Sequence, residues 1–281
     1  MAEQIRKLVF QTAGIPASDG ADVQLTRIIG APDLNMVDPF LLLDVFETDE
    51  PQDYIGGFPS HPHRGFETVT YLLAGQMRHK DNAGHEGVIV PGGVQWMTAG
   101  RGIIHSEMPE QVDGLMKGFQ LWVNLPASEK MTEPGYQEFP PHVIENEELP
   151  EGGFIHVIAG VTNQGTVGPV KNAHTTPLFL DVTLKAGQNF EQSVPETHSC
   201  FTYMIDGDII FPNSNSILGQ GRLGILEGGS TVSLNAGQEG ARFLLVAAKS
   251  LNEPVARGGP FVMNTREEVM QAFDDYQNGK F

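Results

Sequence analysis

The chain has 281 residues, more than one ordinary domain needs and enough for two. Its 17 Lys and Arg stand against 35 Asp and Glu, and the formal charge of −18 disfavours direct contact with nucleic acid or with anionic membranes. Gly (33) and Pro (19) make up nearly a fifth of the residues, which points to short strands between many turns and against long helices. In chain order, residues 5–11 and 23–29 read as strands. Residues 33–44, with Met36, Phe40, Leu41, Leu42 and Leu43 around Pro39, read as a buried connector. Residues 69–73, 87–90 and 119–125 read as further strands, each stopped by Gly or Pro. Residues 131–150 are rich in Pro and Glu and read as an interdomain linker. Strand-like runs resume at 154–159, 178–184, 201–205, 223–226 and 242–247. Turns about every ten residues favour a sandwich or barrel. One helix closes the chain: Thr265 and Glu268 have capping-box spacing, Val269, Phe273 and Tyr276 form one apolar stripe, and Gly279 is a natural stop.

A single cysteine, Cys200, excludes an internal disulfide and a cysteine-rich zinc site. The opening Met-Ala-Glu-Gln-Ile-Arg-Lys carries no apolar signal core, and no run approaches the ~18 apolar residues of a membrane span. A soluble, cytoplasmic protein is the expectation.

The chemistry concentrates in two short segments. His61 and His63 are two residues apart, so on an extended chain both imidazoles project to one side. His105 and Glu107 repeat that spacing 42 residues on from His61. A lone His-x-His is weak evidence, but two such pairs beside strand and turn signals can converge if their strands are neighbours. Three neutral nitrogens and a carboxylate with open positions suit one divalent metal, Fe, Ni, Cu, Mn or Zn, and a catalytic or sensing role above structural zinc. The other histidines read otherwise: His79 and His85 as members of a hairpin loop near Asp81, and His142, His156, His174 and His198 as scattered. Arg64 and Arg101 read as partners of nearby acids before substrate ligands. Trp96, Phe58, Phe66 and Met97 fit a core at least as well as a pocket.

The motif Gly56, His61, His63, Glu67 and Gly75, followed by Gly87, Pro91, Gly93 and His105, resembles the cupin superfamily, with the last spacing longer than usual. The runs His61 to Val69, Gln95 to Gly102 and His105 to Pro109, together with Gln120 to Pro126 and the tail Leu251 to Thr265, resemble the pirin family nearly end to end. This resemblance implies an all-β chain of two jelly-roll-like cupin barrels face to face, with the terminal helix at the end. The division it suggests is a metal-binding barrel at 1–130, a linker at 131–150 and a metal-free barrel at 151–281. The pirin pattern nominates His61, His63, His105 and Glu107 as ligands, with Glu107 also catalytic. The general cupin pattern nominates Glu67 in place of Glu107, and spacing alone does not decide between them. In the second half only His198 and Cys200 share the two-residue spacing, and Cys200 reads as a buried small residue.

The resemblance implies Fe(II) as the expected cofactor, with Ni, Cu, Mn or Zn as alternatives. It implies a dioxygenase acting on a flavonol such as quercetin or a similar enolic phenol, with a small aromatic substrate as the chief partner. The alternative is an iron-dependent redox-sensing regulator that binds a transcription factor or a metabolic enzyme. An open pocket beside the ligands favours the enzyme, and a filled one favours the sensor. A monomer, with no direct nucleic-acid contact and no membrane, completes the expectation.

Overall fold

In a computed structural model that describes residues 4–281, the β-branched and aromatic runs form antiparallel strands between Gly and Pro turns. Two compact units result, one of residues 4–14 with 142–250 and the other of 15–141 with 251–281. The architecture is all-β with a single α-helix, Arg266–Gln277, among the described residues. Among the described residues no helix is long and apolar enough to cross a membrane.

The unit built around 15–141 has two main sheets, besides a two-stranded ladder of Ala256–Gly258 with Phe261–Met263. The larger runs Gly135–Phe139, Val94–Thr98, Phe66–Ala74, Met116–Asn124, Phe40–Thr48, Val23–Ile29 and Ile15–Asp19 in spatial order. The smaller runs Phe58–His63, Ile103–Pro109, Met77–Asp81 and Glu86–Ile89. Two readings change here. The apolar run from Phe40 is a strand and not a connector: its first seven residues are all buried, and it pairs with Met116–Asn124 on one side and Val23–Ile29 on the other. A strand covered on both faces loses the polar alternation by which strands are usually recognised. Residues 131–150 are also not a simple linker. Gly135–Phe139 pairs with Val94–Thr98, and Glu145–Glu148 pairs with Gly153–Ala159. Both lie at sheet edges, where a strand that is half-buried or mostly exposed needs little apolar content.

The other unit is one sheet in the order Lys7–Thr12, Leu223–Glu227, His198–Phe211, Thr231–Lys249, Leu178–Leu184, Gly153–Ala159 and Glu145–Glu148. Its core gathers Phe190, Phe211, Phe243, Leu180, Leu234 and Leu245 with Cys200. Burial pushes the Cys200 thiol up to about 12, so it stays protonated and inert.

The ends of the chain are exchanged relative to a linear division. The first strand, Lys7–Thr12, pairs with Leu223–Glu227, and buried Arg6 donates to the carbonyls of Leu226, Pro195 and His198. The tail packs with residues 15–141: Val262 joins Leu41 and Phe66 in one buried cluster, with Trp122 and Val255 against it. The helix has the expected capping box, Thr265 Oγ1 accepting from Glu268 N–H and the Glu268 carboxylate from Thr265 N–H. Val269 is buried, and Phe273 stands edge-on to Phe261 at 4.8 Å between centroids. Tyr276 is more exposed, yet its ring lies 6.3 Å from Phe261.

Candidate metal centre

His61 and His63 end the strand Phe58–His63, and His105 and Glu107 lie on its neighbour Ile103–Pro109. The register places His105 opposite His61, with an irregularity between His105 and Glu107. On the other side of Ile103–Pro109, Glu107 faces His79 and His105 faces Asp81. Directly opposed residues share a face, so the two pairs read from the sequence do meet on one side of the smaller sheet.

The three imidazoles form a tight group. His61 Nε2 and His63 Nε2 are 2.9 Å apart, and their ring centroids lie 4.5 Å and 5.1 Å from that of His105. One candidate ligand nitrogen from each lies within 4.8 Å of the others. Two nitrogens at right angles on one ion, each about 2.1 Å away, would stand ~3 Å apart. The His61–His63 separation is therefore that of adjacent ligands. The Pro59 carbonyl accepts from His61 Nδ1 at 2.8 Å, which fixes the tautomer and leaves the Nε2 lone pair toward His63. Neither ring nitrogen of buried His105 has a partner. Burial, reinforced by the neighbouring imidazoles, holds His63 and His105 well below the ordinary histidine pKa. Neutral rings with unspent lone pairs in a buried place are what a divalent transition ion requires. The donor set fits such an ion.

Glu107 is buried beside this group but is not one of the three clustered ligands. The Thr70 hydroxyl donates to its Oε1 at 2.9 Å, and the Gln120 amide donates to Oε2 at 3.3 Å. Burial raises its carboxyl above the ordinary value, opposed by His61 and the Thr70 bond. Glu67 is engaged elsewhere, where its carboxylate accepts the Thr98 hydroxyl at 2.8 Å. His63 is held edge-on to Phe66 and Trp122, at 5.1 Å and 5.2 Å between centroids. The corner after it is fixed by Gly65, whose φ of +87° would strain any L side chain and where a Cβ would strike the Val262 carbonyl. Buried Lys130 closes the corner, with Nζ donating to the Gly65 and Val262 carbonyls and to Asn124 Oδ1 at 2.7–2.9 Å.

Above the ligands lies a cavity of about 650 Å³, lined in part by His61, His63, Glu107, Gln120, Trp122 and Phe58. Phe58 is thus a cavity residue, whereas Trp96, Met97 and Phe66 are buried packing residues. Arg64 and Arg101 pair with acids, Asp275 at 2.8 Å and Glu133 at 3.0 Å. His79 is not in a loop. It is buried on Met77–Asp81 with Nε2 2.5 Å from Glu138, while exposed His85 reaches Asp81 at 2.9 Å. His198 bonds Thr176, and among the described residues the one group of clustered candidate ligands is His61, His63 and His105. Sequence reasoning missed Thr70, Gln120, Arg27 and Arg257. The alternation Gln120-x-Trp122 on a predicted strand was the signal for the second of these.

A family model described as Pirin matches residues 22–123, and one described as the pirin C-terminal cupin domain matches 179–281. A pirin-like protein of Caulobacter vibrioides is 50% identical over 99% of both chains. Human pirin is 42% identical over 98% of this chain and 93% of its own. A crystal structure of a quercetin 2,3-dioxygenase from Acinetobacter baumannii matches with a TM-score of 0.90 at 35% identity, covering 99% of each chain.

Proposed function

The chain belongs to the pirin family, with two cupin units, and from that premise we propose that it is a metal-dependent dioxygenase of flavonols such as quercetin or of a similar enolic phenol. The observation that carries this reading is an open cavity of about 650 Å³ lined by His61 and His63, two of three clustered imidazoles of which His105 has no other partner. That volume is ordinary for a small-molecule site. His61, His63 and His105 would hold the ion, with Glu107 buried beside them. A divalent transition metal there, Fe(II) in the first instance, would supply Lewis acidity toward an enolic oxygen and electron exchange with dioxygen. Glu107 takes the proton of the substrate hydroxyl: it is buried, its pKa is raised, and Thr70 and Gln120 aim its two oxygens. Trp122 and Phe58 offer flat apolar walls that orient a planar ring and limit water.

The redox-sensing regulator is the second reading, and a filled pocket would favour it. The open cavity favours the enzyme. Oxygen uptake by the iron- or copper-loaded protein across a panel of flavonols tests the proposal. Uptake with at least one flavonol, lost in Glu107→Gln, is expected. A protein that binds the metal in full and consumes no oxygen with any of them overturns it.

A further inference from the structure

Five arginines of this chain, Arg27, Arg64, Arg78, Arg101 and Arg242, are each paired with a carboxylate. Two arginines line the cavity over the histidines, and they differ in this respect. Arg27 is spent: its guanidinium grips Asp44 through two bonds of 2.9 and 2.7 Å and reaches Asp19 at 2.9 Å. Those acids raise its pKa. Arg257, on the short strand Ala256–Gly258 of the tail, has no carboxylate partner among the described residues. Its one bond to the protein is Nη2 donating to the Leu41 carbonyl at 2.8 Å. Partial desolvation lowers its pKa, the reverse of what Asp44 does to Arg27. The cavity also holds Asp19, Asp44 and Glu107. Against these three carboxylates stand two guanidinium groups and the charge of a bound divalent ion, so the loaded cavity is formally positive inside a chain of net charge −18. Arg257 is itself exposed, and a guanidinium that lines an open cavity with no carboxylate partner is a receptor for an anionic oxygen.

We propose that this cavity takes an anionic substrate, a carboxylate- or phenolate-bearing aromatic, and that Arg257 is the specificity-determining residue that binds its anionic oxygen. The proposal deepens the dioxygenase reading and rests on it for the reaction, though not for the binding. The test is equilibrium binding to protein loaded with redox-inert Zn(II). The probes are 3-hydroxyflavone, its B-ring carboxylate derivative and a B-ring derivative with an acidic phenol, titrated by fluorescence at low and high salt. The unaltered protein is expected to bind at least one anionic derivative tenfold or more tighter than the parent, with the preference shrinking in salt. Which derivative gains identifies the source of the anionic oxygen. Arg257→Gln is expected to bring the ratio within twofold of unity while leaving zinc content and parent affinity unchanged, and Arg257→Lys to restore part of it. No preference for either anion, a preference that survives in Arg257→Gln, or an equal loss for parent and anions overturns the proposal. Charge-selective binding that persists while the iron-loaded protein consumes no oxygen overturns the reaction alone.

Discussion

His105 shows at the scale of one residue what the metal-free centre costs. An unpaired buried polar group destabilises by about 1–3 kcal/mol, and His105 leaves two ring nitrogens without partners. A bound ion reverses that sign, and at a hundredfold excess over its dissociation constant contributes about 2.7 kcal/mol. His105→Leu is therefore expected to unfold, metal-free, at no lower urea midpoint than the parent, and to lose all stabilisation by added metal. A metal-dependent shift that survives in the variant would exclude His105 as a ligand. Asp275 illustrates the opposite case. Its hydrogen bonds to Arg64 and then to Lys280 pull its pKa from 3.8 to about 2. A carboxyl held lower in the folded state favours folding above its unfolded value, and the benefit is lost as pH falls toward about 2. The urea midpoint of the parent should therefore fall between about pH 4 and pH 2 more steeply than that of Asp275→Asn. The grouping of His61, His63 and His105 was legible because two-residue spacing is a face rule that needs no tertiary information, whereas the choice of Glu107 over Glu67 rested on the family resemblance alone. Arg257 was not legible, since nothing in its neighbourhood of sequence says which cavity it lines.

At the scale of elements, the ligand strand Phe58–His63 depends on the corner that follows it. Lys130 ties the Gly65 carbonyl to Val262 of the tail and to Asn124 at the end of Met116–Asn124. Removing the ammonium strands three acceptors in a buried place. Lys130→Met is expected to destabilise the unit by about 3 kcal/mol, read from urea unfolding, and to weaken metal binding as the corner loosens. An unchanged midpoint would mean that water replaces Nζ at no cost. Element recognition from sequence followed burial. Strands with one wet face, such as Val23–Ile29, carried the polar alternation that identifies them. Phe40–Thr48 is buried through its first seven residues and reads as a generic apolar run. Gly135–Phe139 and Glu145–Glu148 are edge strands and read as linker.

At the scale of the whole molecule, the exchanged ends make each unit discontinuous in sequence. Residues 1–141 lack the tail that supplies Val262 to the Leu41–Phe66 cluster. Residues 142–281 lack the strand that covers the edge of Leu223–Glu227. Neither fragment expressed alone is expected to show a cooperative urea transition, and a cooperative transition in either would contradict the partition. The amino-acid order by itself determined the strand-rich character, the helix with its cap, the acidic surface charge and the pairing of ligands on two segments, because each follows from local spacing or composition. The tertiary structure alone decided that the two segments are adjacent strands, that Glu67 bonds Thr98 while Glu107 faces the cavity, and that the first strand and the last helix join the unit remote in sequence. Those outcomes depend on strand register and on contacts between residues hundreds of positions apart, and register is fixed only when both partners are in place.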